Sequence, residues 1–368
     1  MFLINPFRYA APAAYIRAHF SYLLDDHEWT RILRAESMGT FLDRLQETAY
    51  GRERTREKGF ENDQMQAFGE MDPTNLVEIE KQLYARWARS ARAPMVFSDG
   101  KIREVLEWQW RLFEIDHLKI ILRGVDRGVP VRDIKASLIP LPKDTGLPWD
   151  ALAESSSISE VASKLEDTPY QGWLDSALER YQRERERFVL EISIDLEYNR
   201  ALRRAVTSLH GRDRREAERF LGNVIDSRLV IWSYRFREFA GMGPEEILNY
   251  TLDHGFRVSA EDVKAIATGA EIEEILPVIW DELSWDEILG QNQREAIIDL
   301  EVKFLRYRYH EAREIHRQPS FHLGLLLAYQ SLLETEVLDL ISVVECLDVG
   351  LTQEETRDHL IVDRSVHV

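Results

Sequence analysis

Cysteine is almost absent. Cys346 stands alone among 368 residues, so these residues form neither an intramolecular disulfide nor a cysteine-rich zinc site. That usage fits a reducing compartment. Long apolar runs are also missing. The longest, Leu323–Tyr329, is far short of the ~18 residues that mark a membrane-spanning helix. Positive charge is in deficit, with 47 Lys and Arg against 65 Asp and Glu and a formal net charge of −18. Phosphate backbones and anionic lipids are held by clustered cations, so neither nucleic-acid binding nor direct membrane insertion is expected. Period-two alternation never runs beyond a few residues, which removes the strand signal. No glycine-rich phosphate loop and no Gly-x-Ser-x-Gly elbow occurs. The N-terminus MFLINPFRYAAPAAYIRAHF lacks a basic stretch before its apolar start, and Arg8 and Arg17 interrupt it. It reads as a helix over Pro12–Leu24 with proline in the first turn, not as a signal peptide.

What is present is a repeat. Hydrophobic residues make up 44% of the chain, enough for a packed core, and they recur at helical spacing, so the fold is expected to be all-α. In Phe113–Ile134 the stripe Leu118, Ile121, Val125 ends at Gly128. In Asn223–Ile247 the stripe Ile225, Leu229, Trp232, Phe236 ends at Gly241. In Leu333–Thr356 the stripe Leu340, Val343, Leu347 ends at Gly350. The anchors Leu118, Leu229 and Leu340 are evenly spaced, 111 residues apart each time (118 to 229; 229 to 340). Each stretch predicts a helix, a glycine turn and a second helix. In the second copy the stop, Gly241, comes two residues late.

A second repeated segment supports the first. Trp29, Ser37, Leu45, Thr48 and Tyr50 match Trp149, Ser157, Leu165, Thr168 and Tyr170 at a constant offset of 120 (29 to 149). Ser37 and Ser157 read as helix N-caps. A third copy near Glu274–Ile279 is faint. Leu76–Arg92 and the long run Trp173–Leu209 read as further helices. Residues 51–73 are polar and read as a loop or short helix. The stretch Leu138–Ser159, with Pro140, Pro142 and Pro148, reads as a linker, and a second break falls near Ala265–Ala270. Three repeats are expected to divide the chain at 1–140, 141–264 and 265–368.

Catalytic chemistry finds little footing. His310 and His316 are six residues apart, which turns the two rings to different faces of one helix. Glu114-Ile115-Asp116-His117 is a single Glu-x-x-His without the second copy a di-iron bundle needs, and it reads as helix-surface charge. Glu114, Asp226 and Glu336 open the three repeated helices and read as carboxylates facing exposed helix N–H groups. The mixed runs 180–188 and 210–220 read as solvated faces with pairs such as Arg214–Glu218. No metal, cofactor or catalytic set is expected.

With these residues in view, the chain resembles the C subunit of archaeal and bacterial A/V-type ATPases, which is similar to the d subunit of the eukaryotic V-ATPase. The resemblance rests most on Ala328-Tyr329, Glu334, Glu336 and Gly350-Leu351. It rests also on Glu114–Gly124 and on Ser37–Gly51, with its Leu-x-x-Thr-x-Tyr-Gly. Family members often carry Asn where His117 stands, and Asn-Leu-Arg in place of Asp339-Leu340-Ile341. The resemblance implies three similar helical domains about a pseudo-threefold axis, forming a funnel. It further implies a cytoplasmic, non-catalytic rotor subunit, peripheral on the membrane through its complex. Such a subunit is a socket between the central-shaft subunits and the membrane proteolipid ring, coupling one to the other for proton or sodium transport. Three copies about such an axis would bring equivalent turns to one rim. The expected partner-binding positions are therefore Gly128, Val129, Pro130 and Val131, then Gly241, Met242, Gly243 and Pro244, then Gly350, Leu351 and Thr352. A generic all-α scaffold is the competing reading, but solenoid repeats run ~30–45 residues, far below the spacing of 111. A helical-bundle hydrolase would need a convergent acid, base or ligand set.

Overall fold

The computed structural model describes residues 4–52, 67–141, 146–184, 187–280, 283 and 293–362. Residues 53–66 of the polar stretch, Pro142 of the linker and residues 185–186 of the first charge run lie outside the described residues. All regular structure among the described residues is helical, with no strand.

Contacts group the chain into two compact units. One joins 1–98, 136–147 and 309–368, and the other joins 99–135 and 148–308. Each unit draws on separated stretches of the chain. The physical reason in the first unit is the helix Leu323–Asp348. It is apolar all round and buried along most of its length, so it needs partners on every side. Its neighbours come from the other end of the chain: Ile4–His19 and Leu76–Ser90. Gln330 donates to the Ala91 carbonyl at 2.9 Å, and Arg17 donates to the Gln318 carbonyl at 2.6 Å.

The N-terminal helix starts earlier than Pro12–Leu24. It runs Ile4–His19 with Pro12 inside, followed by a short 3-10 turn, Phe20–Tyr22. Burial of Tyr9, Ala13 and Ile16 on one face offsets the hydrogen bond that proline cannot make. Beyond it, local signals set the ends of elements. Asp25 and Glu28 form a reciprocal cap on Asp26–Leu33, and Ser37 and Ser157 cap Met38–Glu47 and Ile158–Lys164 as their sequence suggests.

Two short helices also stand at the faint third copy near Glu274–Ile279. Helices Ala260–Ala267 and Ile272–Ile279 repeat Asp26–Leu33 and Met38–Glu47. Their N-caps are twelve residues apart in both copies (25 to 37; 259 to 271). Trp29, Ile32 and Leu42 correspond to Val263, Ile266 and Leu276, all buried.

In the second unit, Gly100–Trp110 and Leu112–Arg127 form one helical run through Arg111, and they pack along Arg187–Ser208. Likewise Gly211–Ala217 passes through a π-helical turn, Glu218–Gly222, straight into Asn223–Glu238. The repeated helices are therefore longer than their apolar stripes suggest. The π-turn also explains the irregular second copy. In the first run, fourteen residues separate the start from Glu114, and fourteen more lead to Gly128 (100, 114, 128). In the second, fifteen and fifteen separate Gly211, Asp226 and Gly241. The π-turn absorbs one extra residue and the turn at Gly241 absorbs the other. Registered on the carboxylates, the buried counterpart of Leu118 and Leu340 is Val230 rather than Leu229.

Candidate functional site

Each proposed turn is built by its glycine. Gly128 and Gly350 have φ of 64° and 76°, left-handed values that glycine adopts without a Cβ clash. Around them Val129 N donates to the Gly124 carbonyl and Leu351 N to the Cys346 carbonyl, both at 2.9 Å and both five residues back. At Gly241, with φ of 62°, Met242 N reaches six residues back to the Phe236 carbonyl at 3.1 Å. The extra residue is visible in that longer bond. The helix after each turn is Val131–Ala136, Pro244–Tyr250 or Gln353–Asp358. Thr352 and Glu355 cap the last one reciprocally, and the Thr352 N–H and hydroxyl hold the Glu355 carboxyl below its usual range.

One residue pair closes each turn from inside. Ile134 lies so near Gly124 that a Cβ there would sit 2.6 Å from it. Phe236 packs with Ile247 in one apolar cluster. Cys346 meets the buried Thr356 hydroxyl, while burial pushes its thiol up. These three pairs occupy matching places in the repeat. The outer positions face solvent: Gly128, Pro130, Val131, Gly241, Gly243, Pro244, Gly350 and Thr352 are exposed, and Val129, Met242 and Leu351 are half-buried. In the second unit one helix, Asp175–Glu184, ties two turn regions together. Tyr181 donates to Asp126, two residues before Gly128. Arg180, its neighbour in sequence, binds Glu246 at 2.8 Å and the Tyr250 hydroxyl, just after the second turn.

The three repeat carboxylates correct their sequence reading. Glu114, Asp226 and Glu336 are buried mid-run and do not face the exposed N–H groups of helix ends. Glu336 accepts from Tyr50 Oη at 2.8 Å and from Leu24 N at 2.7 Å. Glu114 accepts from the Tyr170 hydroxyl and has Arg111 at 3.8 Å. Burial, reinforced by Glu114, pushes the Tyr170 hydroxyl far above its ordinary pKa. Asp226 accepts from the N–H groups of Phe256, Arg257 and Val258 at 2.7, 3.0 and 3.4 Å. Burial pushes its carboxyl up and those three donors pull it back. Thr48 and Thr168 explain the shared Thr-x-Tyr. Each donates its hydroxyl to the Leu carbonyl three residues back at 2.6 Å and accepts from the Tyr N–H two residues on. His117, read as surface charge, is instead buried edge-on to Trp149 at 5.0 Å. His316 lies against Phe20 at 4.0 Å, and burial and Arg17 hold its pKa down.

The arrangement is a thrice-used clasp with an exposed turn. It brings no nucleophile, base and oxyanion donors together among the described residues. The profile of the family described as ATP synthase (C/AC39) subunit matches residues 12–359. The chain belongs to the ATP synthase C/AC39 subunit family. It is similar to the C subunit of the A-type ATP synthase of Methanocaldococcus jannaschii, 23% identical over 95% of this chain and 86% of that one. That of Thermococcus kodakarensis is 21% identical over 95% and 89%, and that of Methanosphaera stadtmanae 20% over 92% and 83%. The family match covers all eleven turn positions and all three carboxylates. No helix among the described residues is long and apolar enough to cross a membrane.

Proposed function

We propose that this chain is a non-catalytic rotor subunit of a rotary A/V-type ATPase. It is a cytoplasmic socket that joins the central-shaft subunits to the membrane proteolipid ring, and it is peripheral on the membrane through those partners. The observation that carries the reading is the recurrence of one buried clasp and one exposed turn, three times, in a chain of the C/AC39 family. Three duplicated domains, corresponding to 1–140, 141–264 and 265–368, would stand about a pseudo-threefold axis as a funnel. Their turns at 128–131, 241–244 and 350–352 would then make one rim of quasi-equivalent contacts. A joint under torque gains from that symmetry, because load spreads over three similar anchors instead of one. No cofactor is needed for such work.

Flotation tests the reading. Purified chain should rise with vesicles carrying the proteolipid ring and stay behind with bare anionic liposomes, and it should show no ATP hydrolysis of its own. Binding to the bare liposomes, or turnover that survives repurification, would overturn it.

A further inference from the structure

Helix Asp175–Glu184 is 10 residues long, a length that is marginal alone in water, so it is held by what it touches. Two adjacent residues carry it to two different turns of the second unit. Tyr181, 6% exposed, donates its hydroxyl to Asp126 in the last turn of the first repeated helix. Arg180 binds the Glu246 carboxylate at 2.8 Å and the Tyr250 hydroxyl, and its guanidinium lies 5.4 Å from the centre of the Tyr250 ring. Glu246 and Tyr250 stand one turn apart on helix Pro244–Tyr250. The helix therefore grips the first turn by the element that enters it and the second by the element that leaves it.

Each grip reaches its turn by a short path. Asp126 stands between Gly124, where Ile134 fills the space of a side chain, and Gly128. The Val129 N–H closes that turn on the Gly124 carbonyl at 2.9 Å. At the second turn, Ile247 sits next to Glu246 and packs with Phe236, whose carbonyl accepts from the Met242 N–H at 3.1 Å. Residues 180 and 181 are bonded neighbours, so neither grip slackens without moving the backbone of the other.

Duplication alone does not produce this tie. The third copy of Asp126 is Asp348, since each lies twelve residues past its carboxylate (114 to 126; 336 to 348). Asp348 is exposed, and no side chain among the described residues holds it. We propose that helix Asp175–Glu184 is a strut that couples the first two turns, so that a constraint placed on one is felt at the other. Ordering one end of a shared element leaves less freedom to lose at the other end, which couples two sites without a change of shape. The coupling belongs to the free chain and stands whatever partner the turns meet.

Amide hydrogen exchange of the full chain, resolved by residue, tests it. Tyr181→Phe keeps the buried ring and removes the bond to Asp126. Arg180→Met keeps the stem and removes the contacts with Glu246 and Tyr250. Each change is read at the far turn. Tyr181→Phe should speed exchange of the Met242 N–H, and Arg180→Met that of the Val129 N–H, by about two- to tenfold, the size of one lost hydrogen bond. The Phe256 N–H, held by Asp226, reports general loosening and should not change. Arg132→Ala, which removes a local pair with Asp133 at the first turn, should leave the Met242 N–H alone. Faster exchange at the near turn only would mean that the turns are independent. Faster exchange at Phe256 as well would mean plain loss of stability. Either result, or no change at either turn, overturns the proposal.

Discussion

A carboxylate buried without partners costs several kcal/mol, and four are buried among the described residues: the repeat carboxylates Glu114, Asp226 and Glu336, and Asp339, which accepts from Ile361 N. Each is answered by donors from a different segment, so acid and donor act as a clasp. Replacing Glu336 by Ala strands two donors and should cost ~2–4 kcal/mol, whereas Glu336→Gln keeps an acceptor and should cost about half as much. Tyr50→Phe should couple to Glu336→Gln in a double-mutant cycle read from urea midpoints, and Tyr170→Phe with Glu114→Gln should couple with the same sign. Additivity at both pairs would count against the clasp. These roles were not legible in the sequence. A charged residue beside an apolar stripe reads as surface, and the donors are distant: Tyr50 precedes Glu336 by 286 residues. What was legible was Thr-x-Tyr, duplicated at 48–50 and 168–170. Acid sensitivity belongs to this scale too. Lys164, then the Ser156 N–H and hydroxyl, hold Glu160 down to about 2. A depressed folded-state pKa gives stability that is present above the unfolded value and fades as pH falls from about 4.5 to about 2. NMR titration of Glu160 should show that low midpoint, and Ser156→Ala should raise it; a midpoint near 4.5 in the parent chain would contradict the cap.

Helices and turns were easier to read than their register. The three glycine stops, the serine caps and the Leu76 helix follow from spacing and capping chemistry, which are local. The third copy of the capped pair shares no Trp, Thr or Tyr with the first. Its two helices begin twelve residues apart, at N-cap positions Ser259 and Glu271, a spacing that a search for identical residues passes over. The π-turn at Glu218–Gly222 has no clear sequence mark, and it moved the anchor by one residue, from Leu229 to Val230. Glycine does two different things in these turns. At Gly128 the requirement is φ alone, with open space around the missing Cβ, so Gly128→Ala should cost ~1 kcal/mol and Gly128→Asn less. At Gly124 the requirement is space, because Ile134 fills it. Gly124→Ala should cost ~1–3 kcal/mol by overpacking, and Ile134→Ala should relieve part of that in the double mutant. Thermal unfolding of the four variants separates the cases. Equal, additive losses at both glycines would sink the distinction.

At the scale of the molecule, the first contact unit joins stretches far apart in the sequence. The last repeated helix takes donors and packing from the N-terminal segment. Contacts across some 300 residues leave no local trace in the sequence. If the three turns act together on one partner, damage to one should be graded, since two quasi-equivalents remain. A fair test must spare the glycines. Proline at Gly241, with φ of 62°, would break the turn itself and confuse folding with binding. Val349 avoids that problem, being 70% exposed and adjacent to Gly350. Val349→Ser should leave circular dichroism unchanged and reduce, without abolishing, flotation of the chain with ring-bearing vesicles. A several-fold loss is expected, because a surface apolar contact of this size is worth ~1 kcal/mol. Adding Val131→Ser, the exposed apolar residue of the first turn, should deepen the loss by a similar factor. Complete loss from Val349→Ser alone, with the fold intact, would mean one dominant contact at the third turn. No loss from both together would mean that these turns do not meet the ring.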